Sequence, residues 1–377
     1  MIDELIELTS MLVATDSVNP SLVPGGAGEE RIATAVANWA RAAGLETQVL
    51  AGTAGRPSVI ARACGSGGGR TLLLCGHLDT VGVQGMVSPH TPRLDGDRLY
   101  GRGAYDMKAG LAAAMLACRE AAALDLAGDV VLAAVADEEH ASIGVQEVLD
   151  CIRADAAIVT EPTELGVAVA HKGFIWSQIE SSGRAAHGSR PHLGVDAIVK
   201  MGPILTAIGD LDETLCQRSH PLLGRGSLHA SLIEGGLEMS SYPASCTVGV
   251  ERRTLPGETA PQVQAELRFM IDECKALDPH LVAEARILLV REPFEIGQDA
   301  EIVTMLRSAA AQILGAPPEI VGASYWADAA LIAESGVPTV MLGPGGAGAH
   351  AVEEWVSLSD TEAVARSLLA VATRFCA

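Results

Sequence analysis

No run of apolar residues in this chain approaches the ~20 that a membrane-spanning helix needs. No cluster of lysine and arginine is long enough to build a basic patch. With 26 Lys+Arg against 47 Asp+Glu the formal net charge is −21. Nucleic-acid phosphates would be repelled by such a surface, so no nucleic-acid partner and no membrane partner is expected. The opening stretch MIDELIELTSML is acidic and amphipathic and lacks the basic start and small-residue cleavage site of a secretory leader. The eight cysteines (64, 75, 118, 151, 216, 246, 274 and 376) include no CxxC pair. That fits reduced thiols in a cytoplasm better than a disulfide framework or a cysteine-built zinc site. Internal repeats and low-complexity linkers are also missing; Gly65–Gly69 reads as a short surface turn.

What is present is material for a large core. The 377 residues exceed what one hydrophobic core usually serves, and 49% of them are apolar. Short β-branched runs at 58–63, 71–75, 129–136, 156–160 and 338–342 alternate with helical periods at 3–14, 28–43, 107–124, 142–151, 300–314, 327–335 and 360–375. This alternation predicts an α/β fold with helices on both faces of a largely buried sheet. The middle reads differently. Strands at 174–181, 228–234 and 245–252 surround helices at 195–211 and 260–276, which predicts a small α+β unit of four strands and two helices, in the order two strands, a helix, two strands and a helix. Because α/β alternation resumes afterwards, residues 174–290 are taken as an insertion into a domain formed by 1–173 and 291–377.

In open α/β sheets ligands bind beyond the carboxyl ends of the strands, so the residues that follow each candidate strand carry the functional signal. After 71–75 come His77 and Asp79. After 129–136 come Glu138 and Glu139, and after 156–160 comes Glu161. A glycine-rich loop after 338–342 ends in His350, and Asp106 precedes a helix. Any one of these is unremarkable; an isolated Glu-Glu pair is usually solvated surface, and a lone Asp before a helix is usually its cap. Together they deliver imidazole and carboxylate to one sheet edge, which suits zinc. Two histidines and three carboxylates fit two metals that share Asp106. A further carboxylate is then needed as general base, and the Glu138-Glu139 pair can supply both jobs. Residues two apart on an extended segment point the same way, so Asp79 can hold the far nitrogen of His77.

The segments GHLDTV (76–81), GRGAYDMKAG (101–110), ADEEH (136–140), TEPT (160–163), GRAAHGSRP (183–191), ERRTLPGE (251–258) and the stretch 327–356 keep the order and approximate spacing of a known family. The chain resembles the zinc-dependent family of acetylornithine deacetylase, succinyl-diaminopimelate desuccinylase, aminoacylase and glutamate carboxypeptidase. The resemblance implies that a mixed sheet flanked by helices forms the catalytic domain and that the insertion is a lid and dimerisation domain. It implies that His77, Asp106 and Glu161 bind one Zn2+ and that Asp106, Glu139 and His350 bind the other, sites that would also accept Co2+ or Mn2+. Glu138 would be the general base and Asp79 the residue that orients His77. His187 would stabilise the oxyanion in a neighbouring subunit's site, so a homodimer is implied, and Arg253 would bind the substrate carboxylate. The insertion would swing about hinges near 173 and 290.

The activity so implied is hydrolysis of the amide bond of an N-acyl amino acid. A carboxypeptidase or dipeptidase acting on short peptides would use the same machinery. A non-catalytic small-acid binding protein on the same fold is the reading from another class; it would be marked by loss of Glu138 or of a ligand, and all are present. The resemblance, through its single general-base Glu and the place it gives Arg253, also disfavours a two-metal phosphatase. His140, Ser240 and Trp326 stand at positions where the pattern varies, and they are assigned to the substrate pocket or its rim. The run from Gly343 to Gly348 matches GxGxxG after a strand, but it leads into His350 and an acidic stretch instead of a helix, which argues against a dinucleotide site.

Overall fold

A computed structural model describes residues 1–377. The chain forms two compact units: Met1–Val169 with Ile296–Val321 and Ala327–Ala377, and Ala170–Glu295 with Gly322–Trp326.

The first unit is built on a mixed sheet. Its strands β1 (Glu46–Leu50), β2 (Ser58–Ala63), β3 (Leu72–His77), β4 (Val130–Val135), β5 (Ala156–Val159) and β6 (Val167–His171, its last two residues already in the second unit) lie in the order β1-β2-β4-β3-β5, then the strand Thr339–Met341, then β6. The centre of this sheet is parallel, with β3 between β4 and β5. The three strands read LLLCGH, VVLAAV and AAIV, and every residue in them is buried. Uninterrupted apolar runs are what strands covered on both faces require. The covering helices show the complementary pattern. In Glu30–Ala42 the buried residues Ile32, Ala33, Val36, Ala37 and Ala40 follow a 3.6-residue period. Ala109–Ala122 is rich in alanine and almost wholly buried. Two glycines let elements close on the end of β5: a Cβ on Gly110 would lie 2.0 Å from the carbonyl oxygen of Thr160, and one on Gly343 2.0 Å from that of Glu161.

The second unit holds β7 (Gly173–Ser182), β8 (Ser227–Gly235), β9 (Ser245–Thr254) and β10 (Val282–Arg291), an antiparallel sheet in the order β8-β9-β7-β10. Its elements run strand, helix, strand, strand, helix, strand, with helices Ala197–Leu215 and Ala260–Leu277. The sequence reading placed two strands before the first helix; the structure has one, and the fourth strand is β10, after the second helix. The pattern in β10 is weak because every residue except Ala283 is exposed or half-buried. β7 and β9 alternate strictly, and Ile175, Ile179, Val248 and Val250 join Met201, Ile204, Val263 and Leu267 of the helices in one core. No helix of the chain is long and apolar enough to cross a membrane.

Candidate metal centre

Three adjacent parallel strands end side by side, and each carries a functional group just beyond its carboxyl end. β3 closes on His77. β4 leads into the turn holding Glu138 and Glu139, and β5 into Glu161. Asp106 sits one turn before the helix Ala109–Ala122, in a non-helical conformation (φ −115°, ψ 92°) followed by a cis peptide bond. His350 lies on the loop after Thr339–Met341 with φ 61°.

These side chains converge. Nε2 of His77 lies 3.2 Å from Oδ1 of Asp106, 3.6 Å from Oε1 of Glu161 and 4.0 Å from Oε2 of Glu138. Nε2 of His350 lies 3.3 Å from Oδ2 of Asp106 and 3.1 Å from Oε2 of Glu139. Asp106 therefore turns one oxygen to each histidine. His77, Glu138 and Glu161 form one group whose ligand atoms lie within 4.8 Å of one another, and His77, Asp106 and Glu139 form another.

Electrostatics follow from this crowding. Burial, opposed by His77 but reinforced by Glu161, Asp328 and Glu139, pushes the Glu138 carboxyl well above the usual carboxylate range. Burial and the neighbouring Asp106 do the same to Glu161. Burial acts on Asp106 in the same direction, but its bonds to His350 and His77 outweigh this and hold it low.

Asp79 serves the centre in a way that spacing did not foresee. Nδ1 of His77 lies 3.0 Å from the backbone oxygen of Asp79 and 3.7 Å from its carboxylate. The carboxylate accepts the backbone N–H groups of Glu138 (3.1 Å) and Glu139 (3.2 Å) and the side-chain amide of Asn19 (2.7 Å). Asn19 also donates to Asp137, which holds φ 68° at the turn, and Arg56 bridges Asp137 to Glu29. None of Asn19, Glu29, Arg56 and Asp137 was singled out from sequence. Nor were Arg102 and Glu354, although both stand in or beside the quoted motifs.

His187 and Arg253 belong to the second unit. His187 is exposed, with Nδ1 2.8 Å from the hydroxyl of Ser189. Nε of Arg253 donates to Glu251 at 2.7 Å, and its guanidinium lies 5.2 Å from the Phe174 ring. Trp326 packs against His171 and Phe174 and donates Nε1–H to the Glu292 carbonyl. His140, in the first unit, is partly exposed, with Nδ1 3.9 Å from Asp137.

The residues suit a divalent cation. Asp106, Glu138, Glu139 and Glu161 have the two histidines as their ion-pair partners and no lysine or arginine among them. Oε1 of Glu139 is buried without a hydrogen-bond partner. A buried carboxylate so placed is costly unless a cation neutralises it, and nitrogen with oxygen donors is the set that zinc, cobalt and manganese accept.

The chain is 30% identical to the acetylornithine deacetylase of Proteus mirabilis, over 98% of this chain and 96% of the relative. Among solved structures it is similar to the aminopeptidase PepT of Bacillus cereus (TM-score 0.79, 20% identity, 98% of each chain). It is also similar to the Bacillus subtilis YXEP protein, described as a dinuclear metal-binding peptidase (TM-score 0.74, 16% identity, 100% of this chain and 99% of that one). Residues 73–374 match the family described as Peptidase family M20/M25/M40. The chain belongs to that family and is a metal-dependent enzyme that hydrolyses amide bonds.

Proposed function

We propose that this protein removes the acyl group from an N-acyl amino acid, with His77, Asp106 and Glu161 holding one Zn2+ and Asp106, Glu139 and His350 the other. The observation that carries the proposal is the placement of Asp106, with one oxygen towards each histidine, beside a mostly covered Glu138 that faces no other cation than His77. The deacetylase from Proteus mirabilis, alike over nearly the whole length, supports an acyl amino acid over a longer peptide.

Bound metal would supply positive charge that polarises the amide carbonyl and eases deprotonation of water. Glu138 takes a proton from the attacking water, and the oxygen–carbon bond forms as that proton moves to the carboxylate. Glu138 then gives the proton to the leaving nitrogen as the carbon–nitrogen bond breaks, so one water is consumed and one carboxylic acid and one amine are released. Asp79 fixes the Glu138-Glu139 backbone through the two amide bonds, so both side chains leave the turn at set angles. Arg253 binds the substrate carboxylate. His187, supplied by a second subunit, stabilises the oxyanion. The second unit exposes Leu232, Ile233, Leu237 and Met239, apolar surface in keeping with a homodimer formed there. Eight unpaired cysteines fit a cytoplasmic setting.

The test is a hydrolysis screen of N-acetyl, N-formyl and N-succinyl amino acids beside dipeptides, with Zn2+ or Co2+ added and Glu138→Ala as control. Metal-dependent release of a free amino acid is expected, reduced about 10²–10⁴-fold or more in the variant while metal stays bound. Dipeptides as the only substrates would replace the deacylase with a peptidase. Undiminished turnover by Glu138→Ala would remove Glu138 from the mechanism.

A further inference from the structure

The loop that carries Asp106 and the loop that carries His350 are tied together by one buried ion pair. Glu354, 1% exposed, accepts from Arg102 Nη1 (2.7 Å) and the Gly103 N–H (2.9 Å) through Oε2. Through Oε1 it accepts the N–H groups of Tyr105 (2.9 Å) and Asp106 (3.1 Å). Arg102, 3% exposed, turns Nη2 to the carbonyl of Ala351, next to His350, at 2.9 Å. The Gly101 N–H closes the set on the Glu354 carbonyl at 3.1 Å.

We propose that Arg102 and Glu354 form a positioning clamp that sets the separation of Asp106 and His350, and so the strength of the metal position those two share with Glu139. The inference rests on the reading of this cluster as a metal site. Three features separate a clamp from a general staple of the fold. Glu354 bonds the amide of Asp106 itself, and Arg102 bonds the carbonyl adjacent to His350, so the pair acts at the two ligands and not at a distance from them. Neither ligand has a strand ladder to hold it: Asp106 is non-helical inside its turn, and His350 has φ 61°. Finally, both oxygens of Glu354 accept twice, so any change of its hydrogen-bonding character moves the Asp106 backbone. A glutamine in its place would turn an NH2 group towards donors whichever way it sat, either Arg102 and Gly103 or Tyr105 and Asp106. Losing an outer partner of a ligand typically weakens metal binding about 10–100-fold.

The experiment titrates metal-free wild type, Glu354→Gln, Arg102→Lys and His350→Ala with Co2+, read by visible absorption and calorimetry. Thermal melting of each metal-free protein is recorded beside it. His350→Ala marks the binding step that belongs to the position in question. Glu354→Gln is expected to weaken that same step by about 10–100-fold and the other step, which shares Asp106 but not His350, clearly less, beside a lower melting temperature from the broken buried ion pair. Arg102→Lys keeps the charge but cannot reach both Glu354 and Ala351, and it is expected to weaken the step less. Unchanged binding in Glu354→Gln, beside two clear steps in wild type, overturns the clamp and leaves the metal site standing. Equal weakening of both steps also overturns it, in favour of a structural staple. Wild type that takes up no Co2+ overturns the metal reading and the clamp with it.

Discussion

His77 ends a strand whose six residues are all buried, and its own side chain is 1% exposed; the side chain of His350 is 56% exposed, on a loop with φ 61°. The two rings face opposite oxygens of the same carboxylate at nearly the same distance, 3.2 and 3.3 Å. They reach that symmetry by different means. The sheet places His77, because β4 and β5 pair with β3 on either side and leave its end no freedom. Hydrogen bonds between loops place His350, through Arg102 and Glu354. A site assembled in this way has one half whose geometry is part of the fold's stability and one half whose geometry depends on a few polar contacts.

The largest expected effect tests that division directly. His77→Ala removes the buried cation facing Asp106, Glu138 and Glu161. Breaking a buried pair from one side costs about 3–5 kcal/mol. His350→Ala removes a half-exposed partner, for which about 1 kcal/mol or less is expected. Urea unfolding of the metal-free proteins measures both, and equal losses would break the comparison.

A second effect concerns protons, and here the two halves should agree. Burial disfavours charge on His77, but Glu161 and Asp106 outweigh it and hold its pKa well above the usual histidine value. His350 is pushed up to about 10 by its bonds to Asp106 and Glu139. Raised folded-state values mean that these protons stabilise the metal-free protein fully below the ordinary histidine pKa, and that for His350 this contribution fades as pH rises through about 10. Metal binding must displace the same protons, so its dependence has the opposite sign. Affinity should climb about tenfold (~1.4 kcal/mol) per pH unit for each proton displaced. Calorimetry of Zn2+ binding between about pH 6 and about pH 8, in two buffers of different ionisation enthalpy, counts those protons. An affinity that does not change with pH would show both rings to be neutral before metal arrives.

The rigid half of this site was legible in the sequence, and the clamped half only in part. β3, β4 and β5 stand out as uninterrupted apolar runs, and the residues that follow them are the ones that converge. β1 was missed because its residues are exposed or half-buried, so no core-facing pattern marks it. The same holds for β10. Asp79 was tied to His77 by period-2 spacing, which assumes extended chain through both. The strand stops at His77, and the carboxylate is free to turn to the amides of Glu138 and Glu139. The supporting polar residues leave no local signal at all. Asn19 lies 60 residues from Asp79 and 118 from Asp137, and Arg102 lies 252 from Glu354. Such pairs follow from topology, and spacing rules cannot reach them.

The smallest effect sharpens the account of the loop half. The Tyr105 hydroxyl donates to Oε1 of Glu164 at 2.6 Å, an exposed contact beside Asp106 that could itself anchor the ligand. The backbone N–H of Tyr105 is already held by Glu354. If the backbone bonds fix Asp106, Tyr105→Phe should change Co2+ affinity by about 1 kcal/mol or less, because an exposed hydrogen bond adds little beyond what water supplies. If the phenol is part of the anchor, the loss should match that of Glu354→Gln, and the step that weakens should again be the one that His350→Ala removes. Side-chain contacts at the rim would then share the work assigned to the clamp, and the loop half would owe its geometry to the surface as much as to the buried ion pair.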